Sequence, residues 1–334
     1  MKKLRMLAAA GLGCVVLTGC NGNTAGSSDM NNSAASPESV SAAQVSEDTV
    51  GETGQTSAPV FTPVERGTID DLEQTGEFTY TCSYEGVAHD FILDLPEDCD
   101  GAPLIVMLHG YGQSASAMRS EIHMEEDAVP LGYAVVYVTG APDSADSTSA
   151  CCWNSGVSDN ENNDVGFIVT LTGYLQDEYG LDKDRAYAAG FSNGGFMMYR
   201  LAMDAQDVFT AVASVCGKMP QSVWDRRYES NHVGVLQITG DKDELVPKEL
   251  DDSAKYGIDP AIEEVMRYWA DSNGITGATE ESIGKNSTIL KAGDGDGRKV
   301  WSVMVTGGHH GWYDESITGI DVNGLILQFF DEQK

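Results

Sequence analysis

From residue 78 onward, apolar residues alternate between short strand-like runs and segments with helical spacing. Two runs, Phe78–Tyr84 and Val87–Leu95, meet at Glu85-Gly86, a turn that predicts a β-hairpin. Later runs are almost continuously apolar, which is typical of parallel strands buried on both faces. These predicted strands are Pro103–His109, Tyr133–Val138, Arg185–Ala189, Phe209–Val215, Val233–Ile238 and Val300–Val305.

Helical periodicity is clearest in Asp164–Tyr179, where Phe167, Leu171, Tyr174 and Leu175 recur at the spacing of one helix face. Three further helices are predicted at Phe196–Met203, Ala261–Ser272 and Ile317–Phe330. Strands that alternate with helices imply crossovers and a mostly parallel sheet covered on both faces. The predicted fold class is therefore α/β, with the leading hairpin as an antiparallel edge of the sheet.

The first nineteen residues form a predicted export signal rather than part of the fold. Three cationic side chains in residues 1–5 precede the apolar run 6–17, which is too short to span a bilayer. The run ends in Leu17-Thr-Gly-Cys20, which resembles the bacterial lipobox, whose cysteine is acylated. We therefore expect a lipid on Cys20 that tethers the chain outside the cytoplasmic membrane. An ordinary signal peptide with a chance cysteine is the alternative.

Residues 20–63 are rich in Ser, Ala, Gly, Asn and Thr and contain very few large apolar side chains. Such a segment cannot bury enough surface to offset its ordering entropy, which predicts a disordered linker between the lipid and a folded unit. The folded unit is expected to run over residues 64–334, and it shows no internal repeat.

Charge narrows the possible partners. The chain has 20 Lys and Arg against 52 Asp and Glu, which gives a formal net charge of −32 at pH 7. Nucleic-acid binding needs basic side chains that displace counterions from phosphates, so this balance argues against it. Anionic lipid surfaces and polyanionic substrates are disfavoured by the same repulsion. We expect a neutral substrate, and contact with the membrane only through the lipid anchor.

The seven cysteines divide by position. Cys14 lies in the predicted signal and Cys20 is the predicted lipid site. The five in the folded unit are Cys82, Cys99, Cys151, Cys152 and Cys216. A location outside the cytoplasm permits disulfides, but an odd number leaves at least one thiol unpaired, and the sequence does not select the pairing.

The segment Gly190-Phe-Ser192-Asn-Gly194 has the pattern G-x-S-x-G between a predicted strand and a predicted helix. In that context the serine occupies a strained strand-to-helix turn, and small flanking residues let the backbone close tightly. The adjacent helix N-terminus favours developing negative charge. We therefore predict that Ser192 is a catalytic nucleophile; the simpler alternative is a glycine-rich helix cap.

A serine hydroxyl needs a base to accept its proton, and the base needs an acid to orient it. His310 follows the last predicted strand and is the favoured base, with His309 as its competitor; metal binding or a plain surface position is the alternative for the pair. Asp243 follows the preceding strand and is the candidate acid, with Asp241 close by. The order Ser192, Asp243, His310 is the one expected for an α/β-hydrolase.

Backbone N–H groups must stabilise the oxyanion that forms during acyl transfer. One is expected from Asn193, directly after the serine, and the second from the glycine-containing loop 109–113. Tyr111 is the preferred second donor, with Gly112 next. His109 is expected to orient this loop through hydrogen bonds rather than to take part in the chemistry.

Five motifs follow one another between Pro103 and Trp312, over most of the folded unit: the strand entering His109-Gly-Tyr-Gly-Gln-Ser114, Asn163-Asp-Val-Gly-Phe167, Ala189-Gly-Phe-Ser-Asn-Gly-Gly195, Gly240-x-x-Asp243-x-x-Val-Pro247 and Gly307-Gly-His-His-Gly-Trp312. Together they resemble the esterase family that groups polyhydroxybutyrate depolymerases with feruloyl and acetylxylan esterases, including LpqC-type lipoproteins. The resemblance implies one α/β-hydrolase domain and a serine esterase that needs no metal and no organic cofactor.

The family pattern also discriminates between neighbouring candidates. Its glycine–histidine–x–tryptophan ending aligns its histidine with His310 rather than His309, and its acid aligns with Asp243 rather than Asp241. Two departures concern Tyr111, where the family usually carries another residue, and Asp241, which adds a second carboxylate. Both leave the acyl preference open.

The resemblance further implies a small ester or acylated oligosaccharide as substrate. Feruloyl or acetyl groups on xylan fragments are favoured, and short polyhydroxyalkanoate chains are the runner-up. A surface peptidase is an alternative with the same fold, because G-x-S-x-G does not distinguish amides from esters. An inactive glycan-binding protein of the cell surface is an alternative of another class.

Two acidic clusters invite a metal interpretation that we do not adopt. Asp294-Gly-Asp296 resembles the start of a calcium loop but lacks the closing Glu, so a polar hairpin turn is expected. Asp159, Glu161 and Asp164 could share a cation, although an N-cap cluster before a helix at Val165 is the more economical interpretation.

Three tryptophans, Trp153, Trp224 and Trp312, are candidates for an acyl or sugar subsite, because aromatic faces bind both kinds of group. Trp153 and Trp312 are preferred. For each of them a place in the hydrophobic core is an equal alternative.

Overall fold

A computed structural model describes residues 60–143, 149–157, 160–248, 260–293 and 295–333. The predicted signal peptide (1–19), the lipid site Cys20 and all but the last four residues of the predicted linker (20–63) lie outside the described residues. Within the described ranges, no helix is both long enough and apolar enough to cross a membrane.

The described residues contain eleven strands that form one sheet. They are β1 Asp70–Gln74, β2 Thr79–Tyr84, β3 Val87–Asp94, β4 Leu104–Leu108, β5 Ala134–Val138, β6 Ala186–Phe191, β7 Ala211–Val215, β8 Gly234–Gly240, β9 Ala278–Ile283, β10 Ser287–Ala292 and β11 Val300–Val305. Their spatial order is β1-β2-β3-β5-β4-β6-β7-β8-β11-β10-β9.

The centre of the sheet is parallel and both edges are antiparallel. Strands β5, β4, β6, β7, β8 and β11 run in one direction. On one side β1, β2 and β3 pair antiparallel, and on the other side β9 and β10 do. The predicted mostly parallel sheet with a leading hairpin is confirmed, while the polar edge strands β1, β9 and β10 went unpredicted.

The apolar runs form strands because each strand buries both of its faces. In β4, Leu104, Val106 and Leu108 belong to the core on one side of the sheet, whereas Ile105 and Met107 belong to the core on the other side. All five side chains are at most 1% exposed. Because successive side chains point to opposite faces, a strand covered on both faces is apolar throughout.

The helices cover both faces of the sheet. They are α1 Ala115–Ile122, α2 Met124–Ala128, α3 Asp164–Tyr179, α4 Asn193–Asp204, α5 Gln221–Trp224, α6 Ile262–Ser272, α7 Glu315–Thr318 and α8 Val322–Asp331, with a 3₁₀ turn at Val129–Leu131. Helices α3, α4 and α6 pack on one face, and α1, α2 and α8 pack on the other. The bounds predicted for α3 are confirmed.

Two helix predictions were wrong. The segment Ile317–Phe330 is not one helix, because Gly319 adopts a left-handed conformation (φ +74°) that ends α7, and Asp321 caps a new helix by accepting from Gly324 N–H. The expected N-cap role of Asp164 is also wrong: the side chain of Asn163 caps α3. Asp159 and Asp294 lie outside the described residues.

Parallel strands bring their carboxyl ends to one edge of the sheet. Strands β4, β6, β8 and β11 therefore deliver to this edge the loops that follow Leu108, Phe191, Gly240 and Val305. These four loops carry the predicted nucleophile, base, acid and oxyanion donors, whereas Trp153 lies between β5 and α3.

Candidate active site

Ser192 occupies the turn between β6 and α4. Its backbone has φ +52° and ψ −113°, a conformation that non-glycine residues rarely adopt and that stores strain. Its N–H donates to Val215 C=O (2.9 Å), so the neighbouring strand holds the turn. Ser192 thus stands between the end of a strand and the N-terminus of a helix.

Glycines on both sides of the serine permit this tight turn. A Cβ at Gly190 would lie 2.3 Å from the carbonyl oxygen of Gly194, and one at Gly194 would lie 2.1 Å from that of Leu108. Real Cβ atoms do not approach backbone oxygens so closely. The pattern G-x-S-x-G therefore reflects backbone crowding at this edge of the sheet.

His310 and Asp243 meet because β8 and β11 are parallel neighbours. The loops that follow these two strands lie side by side, and His310 Nδ1 is 2.8 Å from Asp243 Oδ2. His310 Nε2 is 2.9 Å from Ser192 Oγ. Three side chains that lie 67 and 118 residues apart along the chain thus form one hydrogen-bonded line.

The carboxylate in this line is fully buried and has all of its acceptors engaged. Its second oxygen, Asp243 Oδ1, accepts the N–H groups of Leu245 (3.0 Å) and Val246 (2.8 Å). The Asp243 side chain is 0% exposed and that of His310 is 13% exposed. A buried carboxylate with these partners fixes the imidazole and stabilises positive charge on it.

Asp241 fastens the histidine loop to the acid loop. Its carboxylate accepts Gly307 N–H at 2.6 Å, and its own N–H donates to Val305 C=O. Lys242 N–H donates to Gly308 C=O at 2.9 Å. The second carboxylate noted in the sequence therefore contacts backbone in the histidine loop, while Asp243 contacts the histidine itself.

The loop that follows β4 lies beside the serine turn. Gly110 N–H donates to Gln113 Oε1 (2.9 Å), and Gly112 N–H donates to Cys151 C=O (2.8 Å). Gly112 N–H is therefore already engaged by backbone in another loop. Asn193 is the first residue of α4, where backbone N–H groups have no partner within the helix.

His109 holds this loop, as its sequence position led us to expect. Its Nδ1 is 2.7 Å from Gly110 C=O, and its Nε2 accepts Gly140 N–H at 2.9 Å. Burial lowers the pKa of His109 to about 4, so the ring is neutral at the pH of most reactions. A neutral ring with both nitrogens engaged orients backbone rather than moving protons.

Residues 151–155, here called the bridging loop, contact both sides of the serine turn. Trp153 N–H donates to Asn193 Oδ1 (2.7 Å), and the indole N–H of Trp153 donates to His109 C=O (2.9 Å). Asn193 Nδ2 donates to Ser155 Oγ at 3.0 Å. Sequence reasoning missed this role, because no motif marks the segment and the contacts span about 40 residues.

The tryptophan candidates differ in position. Trp153 is 0% exposed and belongs to the core beneath the turn, so its predicted place at a substrate subsite is not what the structure shows. Trp312 is partly exposed, and its indole N–H donates to Asn323 Oδ1 (3.2 Å). Trp224 is also partly exposed, with the Arg227 guanidinium 3.9 Å from its ring centroid.

Cys216 also lies beside the site, and the sequence did not predict it there. It follows β7 with φ +52°, and its Sγ lies 3.3 Å from Gly311 C=O and 3.1 Å from Tyr313 Oη. Burial raises the pKa of this thiol to about 12. The thiol is therefore a packed neighbour of the histidine loop, and its only sequence signal is its place at the end of a strand.

Two groups among the described residues have donor sets that could take a metal ion. Cys216, Asp243 and His310 have ligand atoms within 4.8 Å of one another, and so have His123, Glu125 and Glu126. The first group overlaps the hydrogen-bonded line, and the second lies largely on the surface. The cysteines of the folded unit are each unbridged in this structure: Cys82, Cys99, Cys151, Cys152 and Cys216.

A cavity of about 710 Å³ lies among residues 86–90 at the start of β3 and residues 139–143 after β5. Its wall includes Cys151, whose carbonyl accepts from Gly112, and Asp143, whose carboxylate accepts from Tyr111 Oη. Asp90, Asn160 and Glu161 also line it. The cavity thus combines carboxylates and an amide. It is connected to the loop that follows β4 through Asp143 and Cys151, whereas Ser192, Asp243 and His310 do not line it.

Comparison with known proteins finds a relative that is similar over most of the chain. The protein NocK of Nocardia uniformis subsp. tsuyamanensis, whose name describes it as an esterase, is 31% identical over 274 residues, which cover 75% of this chain and 78% of NocK. Feruloyl esterase B of Thermothelomyces thermophilus is 31% identical over 128 residues, 37% of this chain and 42% of that protein.

The family model of the prolyl oligopeptidase family matches residues 131–250, which include Ser192 and Asp243. Among solved structures, the acetyl xylan esterase from Aspergillus awamori superposes with a TM-score of 0.52 at 14% identity, over 73% of this chain and 94% of that chain. At this identity the likeness concerns the fold alone.

Proposed function

Because this chain belongs to the α/β-hydrolase esterase family and is a serine ester hydrolase, we propose that Ser192 is its nucleophile, His310 its general base and Asp243 the acid that orients the base. The observation that carries the proposal is the continuous line from Ser192 Oγ through the His310 ring to a buried carboxylate. A serine, a histidine and a carboxylate connected in this order are the groups that acyl transfer requires.

In the first half-reaction, Ser192 Oγ–H donates its proton to His310 Nε2 while the oxygen attacks the ester carbonyl. Asp243 accepts from His310 Nδ1–H and stabilises the imidazolium that forms. The carbonyl oxygen becomes an oxyanion, which the N–H groups of Asn193 and Tyr111 stabilise; one donor of this kind contributes roughly 3–4 kcal/mol in such sites. The imidazolium then protonates the leaving alkoxide, and an alcohol departs.

In the second half-reaction, water replaces the alcohol. His310 Nε2 accepts a proton from the water, whose oxygen attacks the acyl group on Ser192. The same N–H groups stabilise the second oxyanion. Collapse of this intermediate returns the proton to Ser192 Oγ and releases the acid, so no metal or organic cofactor takes part in these steps.

A small chromogenic ester tests the assignment of Ser192. We expect hydrolysis of p-nitrophenyl acetate by the wild type and a loss of about 10⁴-fold or more in kcat for Ser192→Ala, because the nucleophile is gone. Ser120→Ala, which alters an exposed helix serine, is the matched control and should retain activity. A wild type that hydrolyses no ester would overturn the proposal.

For the substrate we propose feruloyl or acetyl esters on xylan fragments. Support comes from the relative named feruloyl esterase B and from the cavity of about 710 Å³, where Asp143, Asn160 and Glu161 can accept hydrogen bonds from sugar hydroxyls. This cavity is connected to the loop of Tyr111 through the contact between Tyr111 Oη and Asp143. The net charge of −32 favours a neutral glycan over an acidic one. The alternative is a short hydroxyalkanoate ester.

A panel of methyl ferulate, acetylated xylan and hydroxybutyrate oligomers separates these substrates. We expect the highest kcat/KM on a feruloyl or acetylated xylan fragment. A clear preference for the hydroxybutyrate oligomers would replace the xylan proposal by the alternative, without affecting the assignment of Ser192.

A peptidase activity is a second candidate, favoured by the match of the prolyl oligopeptidase family model to residues 131–250. Peptide p-nitroanilides with proline before the cleaved bond test it. We expect no cleavage at enzyme concentrations that hydrolyse p-nitrophenyl acetate within minutes; turnover of the anilides would establish the peptidase instead.

We further propose that the protein is anchored outside the cytoplasmic membrane by a lipid on Cys20. Labelling with a radioactive fatty acid in a bacterial host should mark the wild type and the control Cys14→Ser, but not Cys20→Ser. Label that persists in Cys20→Ser would contradict the anchor.

A further inference from the structure

The bridging loop, residues 151–155, connects the two sources of the proposed oxyanion donors. On one side Cys151 C=O accepts from Gly112 N–H, next to Tyr111. On the other side Trp153 N–H donates to the side chain of Asn193. A displacement of this loop would therefore move both donors relative to Ser192.

Asp164, the first residue of α3, holds the centre of the bridging loop. Its Oδ2 accepts Asn154 N–H at 2.5 Å, and the residue is 1% exposed. The Arg200 guanidinium, on α4, donates to Asn154 C=O. The peptide groups on both sides of Asn154 are thus held by charged side chains from two helices.

We infer that Asp164 is a positioning residue for the oxyanion hole, acting through Asn154 and the bridging loop on Asn193 and Tyr111. The inference rests on the proposed function, since it assigns Asp164 a part in the same acyl transfer. Charge-assisted hydrogen bonds are about twice as strong as neutral ones, so an ionised Asp164 holds the loop more firmly than a neutral side chain would.

The surroundings of Asp164 make the strength of its hydrogen bond to the bridging loop depend on pH. Burial raises the pKa of Asp164 to about 7, and the hydrogen bond from Asn154 N–H and the Arg200 guanidinium oppose part of that rise. Among the described residues, the ionisable groups around it are Arg200 on α4 and the Cys152 thiol in the bridging loop. A small cavity of about 220 Å³ that Asp164 also lines adds Tyr84, Glu85, His89 and Glu161. Above pH 7 the carboxylate is charged, and below pH 7 it is neutral and a weaker acceptor.

Two substitutions and one control test the inference on p-nitrophenyl acetate. Asp164→Ala removes the acceptor and should lower kcat about 10- to 100-fold, because oxyanion donors lose alignment, with KM changed less than about twofold. Asp164→Asn keeps a neutral acceptor and should recover most of kcat. Glu178→Gln removes an exposed charge from the same helix and should match the wild type.

The pH profile separates positioning from a general structural role. In the wild type, kcat should rise with pH in two steps, one from the ionisation of Asp164 and one from that of the catalytic base. In Asp164→Asn the step that belongs to Asp164 should disappear. This readout needs only the amide variant, so it stands even where Asp164→Ala fails to fold. Thermal midpoints of the folded variants show whether a lower kcat accompanies lower stability.

The outcomes are distinguishable from failure of the proposed function. If the wild type hydrolyses the ester but both Asp164 variants keep its kcat and its pH profile, Asp164 does not position the oxyanion hole. An effect on KM alone would also overturn the inference. An inactive wild type would instead remove the proposed esterase mechanism itself.

Discussion

Two histidine–carboxylate pairs lie next to each other in the chain and in space, yet their settings differ. His310 and Asp243 lie 2.8 Å apart with side-chain exposures of 13% and 0%. His309 and Glu244 lie 3.2 Å apart with exposures of 68% and 73%. Both pairs join the same two loops. Only His310 reaches Ser192.

The difference shows that a histidine–carboxylate contact alone does not bring an imidazole to the serine. An exposed pair gains little, because water screens its charges and both side chains lose rotamer freedom. In the buried pair, water is excluded, the carboxylate has backbone N–H partners, and the imidazole has a fixed orientation. The four predictions below test this contrast, beginning with the largest expected effect.

Removing each histidine in turn tests which pair performs the chemistry. His310→Ala should lower kcat on p-nitrophenyl acetate by about 10⁴- to 10⁶-fold, because it removes the imidazole that contacts Ser192 Oγ. His309→Ala, its matched control, should stay within about threefold of the wild type, as expected for an exposed pair. Loss of activity in His309→Ala alone would reverse the assignment of the base.

The two carboxylates extend the contrast. Asp243→Asn should lower kcat about 10⁴-fold, because the amide favours the wrong tautomer of His310. Glu244→Gln should change kcat less than about twofold, since its pair is solvated. Steady-state kinetics on the same ester measures kcat for both variants. Equal losses of kcat would contradict a different role for the two pairs.

Asp241 supports the buried pair indirectly, through its hydrogen bond to the backbone of the histidine loop. Asp241→Ala removes the acceptor of Gly307 N–H and should lower the free energy of unfolding by about 1–2 kcal/mol. The measurement is urea denaturation followed by fluorescence, with Lys242→Ala as the control for the same loop. An unchanged midpoint for Asp241→Ala would show that the contact does not stabilise the loop.

The smallest effect concerns the exposed pair itself. A hydrogen bond with His309 lowers the pKa of Glu244 below its ordinary value. In His309→Ala we expect this pKa to return toward 4.5, because the carboxylate loses its partner, while kcat stays unchanged. Carboxyl-carbon NMR of the side chain follows the titration; a pKa that does not move would mean that the pair is absent in solution.

Local patterns predicted the elements that lie in the core. The apolar runs that became β4 and β11 and the periodic segment that became α3 were visible because burial on defined faces leaves a regular trace in sequence. The edge strands β9 and β10 left a weaker trace, since their outer faces are exposed. The split of the last predicted helix depended on one left-handed glycine, Gly319.

The same division holds for the candidate site. Ser192 was predictable from a turn that allows only small neighbours, whereas Asp164 and Cys216 were not assigned to the site. Their contacts run from Asp164 to Asn154 and from Cys216 to Tyr313, which are 10 and 97 residues away along the chain. Cys216 lies in none of the five motifs. The motif 163–167 includes Asp164 but does not indicate which distant backbone group its carboxylate contacts.

The sequence by itself determined the α/β class, the strained serine turn and the order of serine, acid and histidine along the chain, because each depends on local backbone constraints or on strand order. Only the tertiary structure decided which tryptophan is buried, and it placed His310, which the motif alignment already favoured, within hydrogen-bond distance of Ser192. It also decided which buried acid holds the bridging loop. Burial and proximity arise when β8 and β11 become neighbours in the sheet and when side chains of α3 and α4 contact the bridging loop. Both depend on residues far apart in the chain, so no single segment of sequence specifies them.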